Sequence, residues 1–144
     1  MWLLIIATLC AGIFSGAAIY ISAVEHPARM SCGTELAVRE FAPSYHRATV
    51  MQASLALAGA VTGSGAAWLV GDSWLAFGAL LLGSVVPLTL IVIRPTNVKL
   101  LDPGLDSRSR QAEELLTRWG RLHAIRSALS SASFAVFLTR SMNY

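Results

Sequence analysis

Residues 24–30 read VEHPARM, so Glu25, His26 and Arg29 arrive directly after 24 residues without a charge. A second group lies near the far end of the chain: Trp119, His123, Arg126 and Ser130 are spaced i, i+4, i+7 and i+11. On a helix these four fall within about 60° of one another. Two kinds of chemistry use such groups. An imidazole beside a guanidinium can move a proton and hold the anion that results. Alternatively Glu25, His26, His46 and His123 supply two histidines and a carboxylate, the facial set of non-haem iron, or His26 and His123 the axial pair of a haem. No spacing selects among these, so the cofactor stays unknown at this point, with iron and haem both open. No residue is assigned to a metal.

The elements that must position these groups follow from charge segregation. Charged residues make up 13% of the 144, and residues 1–24, 48–71 and 73–93 contain none. About 20 apolar residues cross the hydrocarbon core as a helix. A fourth uncharged run, 127–139, reaches that length only by extending back through Arg126 and His123. The expected fold is therefore all-α: a membrane-spanning four-helix bundle of up-down topology, one domain over 1–144 with spans of about 2–25, 45–70, 74–93 and 112–139. The N-terminal stretch has no positive n-region and is too long for a signal peptide, so it reads as a retained helix.

The net charge of +3 follows topology rather than a nucleic-acid surface. Arg29, Arg39 and Arg47 flank one connection; Arg94, Lys99, Arg108, Arg110, Arg118 and Arg121 flank another. The turn at 71–73 has no positive residue and the C-terminus has only Arg140. Positive residues stay cytoplasmic, which places both termini on the non-cytoplasmic side of the cell membrane. Cys10 in a span and Cys32 in a cytoplasmic connection do not pair.

Along the chain, GIFSG at 12–16 offers small residues to a neighbouring helix. Pro27 is expected to end the first helix, 30–43 to be a polar loop, and Ser44 to cap the second helix. In that helix Tyr45, Thr49, Gln52, Ala56, Gly59 and Gly63 form one stripe, polar at the inner end and small further in. Pro87 should kink the third helix and Pro95 end it. DPG at 102–104 is a turn signature, and a helix beginning near 108 runs on into the fourth span.

Every helix thus delivers polar groups to one membrane face: Glu25, His26 and Arg29; Tyr45, Arg47 and Gln52; Thr96 and Asn97; Trp119, His123 and Arg126. Ionisable residues within a span usually face the bundle interior. The plainer account is a polar collar with Arg126 reaching back to water.

The segments EHPAR, FAPSYHRA, MQ, PLT, PTN and RWGRLHAIR, in this order, resemble the family of small four-span membrane proteins that includes the fungal anthrone oxygenases. The resemblance covers nearly the whole chain. It implies oxidation of an anthrone to an anthraquinone by dioxygen, a monooxygenase reaction. Removing a benzylic proton leaves an electron-rich enolate that reduces dioxygen without a cofactor. His123 would be the base, with Arg126 and either Arg29 or Arg47 holding the oxyanion. Trp119 and Tyr45 would flank the ring, Glu25 would orient His26 or neutralise an arginine, and Gln52 and Asn97 would line the site. The ligand is then a planar apolar small molecule that partitions from the bilayer. Two readings from other classes remain open: a non-catalytic scaffold or subunit, in which the polar groups fix helix register and a homo-oligomer is admissible, and a metal or haem protein. A channel is disfavoured, because no polar stripe runs to the outer face.

Overall fold

The structure, a computed structural model, describes residues 1–143. Among these residues there are four helices and no strand: α1 Trp2–Ser31, α2 Thr34–Val70, α3 Ser73–Leu100 and α4 Arg110–Ser141. Each helix packs along the next, and α4 closes the ring on α1. The result is an all-α, up-down four-helix bundle. α1, α2 and α3 are long and apolar enough to cross a membrane. Their outward faces carry exposed Leu9, Ile13, Val61, Leu80 and Ile91, which suits lipid and not water.

The links are short because glycine makes them so. Gly33, at φ +95°, reverses the chain between α1 and α2. Gly71, at φ +69°, ends α2 in the left-handed region, its N–H donating to the Ala67 carbonyl. Asp72 then caps α3 by accepting from the Trp74 N–H at 2.8 Å. The longer connection, 101–109, is held by two local turns: Asp102 accepts from the Gly104 N–H and Asp106 from the Arg108 N–H. Ser109 caps α4 through the Ala112 N–H.

Four sequence expectations are corrected. Pro27 and Pro95 do not end their helices, 30–43 is not a loop, and Ser44 is not a cap. α1 runs on to Ser31, α3 to Leu100, and α2 begins at Thr34 and passes through Pro43. The reason is local. Ile21–Glu25 and Leu88–Ile93 are π-helical, each ending two residues before a proline. His26 donates to the Ile21 carbonyl and Arg94 to the Thr89 carbonyl, both five residues back. The wider turn makes room for the ring and keeps the backbone paired, as apolar surroundings demand. In GIFSG the two glycines differ: a Cβ on Gly12 would meet Phe134 at 2.9 Å, while one on Gly16 would meet nothing within 4 Å.

These extensions change where the polar residues sit. Towards the end holding Gly71 and Arg140 (the turn end) there is an apolar core of Ala7, Ala11, Phe14, Leu75, Leu82 and Phe137. Towards the end holding Gly33 and the 101–109 loop (the loop end) there is a second, built on Phe41, Ile93, Leu100, Leu116 and Trp119. Gln52, His123, Arg126 and Ser127 lie in sequence between the two on their helices, forming a polar layer inside the bundle and not at its end.

Candidate functional site

His123, 2% exposed, is fixed by hydroxyls from two helices. Its Nδ1 lies 3.1 Å from Ser22 Oγ, and Ser22 Oγ lies 2.8 Å from Ser127 Oγ. Ser127 in turn donates to the Ala18 carbonyl at 3.0 Å and the His123 carbonyl at 3.2 Å. With the Ser127 proton on a carbonyl, Ser22 donates to Ser127 and accepts from Nδ1–H, an arrangement that leaves a bare lone pair on Nε2.

Trp119 is the aromatic centre of the layer. Its ring lies 4.7 Å from His123 and 5.2 Å from His26, with the Phe41 ring edge-on at 5.4 Å. Gly120 lets His26 approach the α4 backbone, since a Cβ there would fall 2.5 Å from His26 Nε2. Both imidazoles therefore pack against the same indole. Among the described residues no group of three His, Cys, Asp or Glu is placed to hold a metal ion. His46, one of the three histidines offered to the facial set, is exposed.

Arg126 donates through Nη2 to Gln52 Oε1 at 2.6 Å and stands 5.5 Å from the Phe14 ring centroid. Arg29 is fully engaged: it pairs with Glu25 and with Glu40 at 2.7 Å, while Ser44 donates to Glu25 at 3.0 Å. That closed cluster ties α1 to α2. Four other buried atoms have no partner: His26 Nδ1, Gln52 Nε2, Asn97 Oδ1 and Arg126 Nε.

Seven of the sequence-derived residues meet on one void of about 30 Å³: Arg29, Tyr45, Gln52, Asn97, Trp119, His123 and Arg126. Tyr45, Thr49, Gln52 and Arg126 also line a larger chamber of about 190 Å³, walled by Phe14, Ala56, Val85 and Val86. His26 stands behind Trp119, and Glu25 acts on Arg29. Arg47 is elsewhere, exposed on a surface groove beside Glu25 and Glu40. It follows Tyr45 by two residues and so lies about 200° around the helix. Ser22, Ser127 and Glu40 were not anticipated, and Ser44 was expected only as a cap. The serines at 127, 130 and 133, spaced i, i+3 and i+6, were the available sign of a buried polar face.

A membrane-embedded helical bundle with a polar layer opening onto an apolar chamber defines the class. Residues 41–136, two thirds of the chain, match the family model described as anthrone oxygenase, and the chain belongs to that family. Neither the curated proteins nor the solved structures contain a match.

Proposed function

We propose that this membrane protein of the anthrone oxygenase family catalyses the oxygen-dependent oxidation of an enolisable aromatic. The observation that carries this reading is the shared lining: His123, Arg126 and Gln52 border one void, and Arg126 and Gln52 continue into the apolar chamber. His123 Nε2 takes the proton from the activated carbon. The electron pair passes to the ring oxygen, which Arg126 holds as an oxyanion. The carbanion form reduces dioxygen and binds it as a hydroperoxide. Loss of water leaves a carbonyl, so one oxygen atom enters the product and the other leaves as water. The substrate itself supplies the electrons. Tyr45 lines both the void and the chamber and flanks the ring, while Trp119 and Asn97 border the void beside His123.

The scaffold reading fits the Glu25–Arg29–Glu40–Ser44 cluster, which is closed on itself. It leaves Gln52 Nε2, Asn97 Oδ1 and Arg126 Nε, which belong to residues bordering the void, without a protein partner.

We also assign the loop end to the cytoplasm and both termini to the outer side of the cell membrane, by the distribution of positive residues. Exposed Trp2, Trp68 and Trp74 then form an aromatic belt at the outer interface. α4 is the fourth span. Its composition hides this because Ser127, Ser130 and Ser133 are polar yet buried, and Arg140 reaches the outer turn at Asp72.

The test is oxygen uptake by protein in lipid nanodiscs with anthrone and related phenolic ketones. Uptake that falls about 10²–10⁴-fold in His123→Gln supports the reading. Full uptake in that variant removes the base assignment, and no uptake with any substrate removes the activity.

A further inference from the structure

The 190 Å³ chamber is lined on its inner side by Phe14, Gln52, Ala56 and Val85, all of them buried. Its other side is different. Thr49 and Ala53 of α2 and Leu90 and Arg94 of α3 line it and are exposed on the outer surface of the bundle. The π-helical turn Leu88–Ile93 widens α3 at this level. The opening therefore lies between α2 and α3, on the face that lipid covers.

The polar groups inside are mostly donors. Gln52 Nε2 and Arg126 Nε are buried and unpartnered, and both residues line the chamber. Thr89 contributes no free proton, because its hydroxyl donates to the Val85 carbonyl at 2.7 Å. Ala56, Val85 and Val86 add apolar wall. An apolar cavity of about 150 Å³ stays dry and holds benzene. This one is somewhat larger and open at one side.

We propose that the chamber is a lipid-accessible binding site for a flat ring system of about two fused rings bearing a carbonyl or phenolate oxygen. The ligand enters sideways between α2 and α3. Its oxygen accepts from Gln52 Nε2 and Arg126 Nε, its rings lie against Ala56 and Val85, and any further ring or chain stays in the mouth between Ala53 and Leu90. The proposal rests on the functional reading above only in assigning an aromatic ring to the ligand, and binding needs no oxidation.

The probe is 1,4-naphthoquinone, added without oxygen to nanodiscs holding the Trp2→Phe/Trp68→Phe/Trp74→Phe chain, in which Trp119 is the remaining fluorophore. The expected result is saturable quenching of Trp119. Ala56→Leu fills the chamber and Ala53→Phe blocks its mouth; each weakens apparent affinity about tenfold or more. Leu57→Phe, on the lipid face outside the chamber, leaves it unchanged. Equal quenching in all variants means the quinone is merely dissolved in lipid and overturns the site. Loss in Ala56→Leu with full binding in Ala53→Phe overturns sideways entry. Oxygen uptake separates the two readings. Cavity-dependent binding with no uptake leaves the site standing and removes the activity. Uptake that survives both variants leaves the activity standing and removes the site.

Discussion

Arg126 and Gln52 meet across the bundle at 2.6 Å, a guanidinium of α4 on an amide of α2. Gln52 is 3% exposed, so Arg126 has no water to fall back on from that side. Gln52→Leu should destabilise the bundle by about 1.5–3 kcal/mol, the range for a buried hydrogen bond to a charged group. The double variant Gln52→Leu/Arg126→Met should recover part of the loss, because no unpaired charge is left. Unfolding of the three proteins by SDS in mixed micelles measures both effects.

Ser22→Ala removes the acceptor that holds the proton on His123 Nδ1. The imidazole should then redistribute towards the Nε2–H tautomer, which has no lone pair to offer at Nε2. Nitrogen-15 imidazole shifts should report Nδ1–H in the parent and a mixed population in the variant. Oxygen uptake should slow about tenfold or more, within the 10²–10⁴-fold that a positioned base contributes. An unchanged nitrogen spectrum would show that the serine relay does not set the tautomer.

Helix contacts on α2 leave no room at Gly59. A Cβ there would lie 2.5 Å from Leu82 Cδ2 and 3.0 Å from Cys10 Cβ. The leucine end can rotate, but Cys10 Cβ is fixed to its backbone. Gly59→Ala should cost about 1–3 kcal/mol by overpacking. Gly16→Ala, with nothing within 4 Å, should be neutral or stabilising by about 0.5–1 kcal/mol through helix propensity. Denaturation midpoints of the two variants should move in opposite directions or by clearly different amounts.

Topology is open to thiol labelling in a Cys32→Ser chain. An impermeant maleimide outside intact cells should modify Ser73→Cys and Met142→Cys but not Gly104→Cys. Protection of Met142→Cys with labelling of Ser73→Cys would mean that α4 does not cross.

The sequence carried the bundle and most of the polar layer because charge segregation is a strong signal. Uncharged runs located the helices, and the stripes through Gln52 and through Trp119, His123 and Arg126 located their inner faces. It misplaced the helix ends at Pro27, Pro43 and Pro95. Proline rules are drawn from helices whose freed carbonyls can meet water; here π turns and continued pairing win. It also put the polar groups at the end of the bundle. That error followed from the first, because the residues read as loop, with Phe41 among them, and those read as the entry to the fourth span, with Leu116, build a second core at the loop end. Arg47 was counted with the site because membrane depth was read from sequence position without the 100° step per residue. The serine relay was missed because Ser22 and Ser127 look like small packing residues until their partners are known.

The burial of polar groups on α4 bears on how the chain is made. A mid-helix arginine costs about 2.5–3.5 kcal/mol on membrane-insertion scales, and α4 adds His123 and three buried serines to Arg126. Alone, it is a poor passenger for the insertion machinery. The groove that satisfies it comes from elements made earlier: Ser22 and Ala18 on α1, Gln52 on α2, and the Gly78 carbonyl on α3, which accepts from Ser133 at 2.7 Å. On the proposed four-span reading, α1 to α3 are therefore a template that must exist before the last helix can enter. An α4 segment in an unrelated host should fail to insert, and the same segment should insert when the first 109 residues precede it. Substitutions at Ser22 or Gln52 should lower that efficiency before any effect on the finished protein is seen.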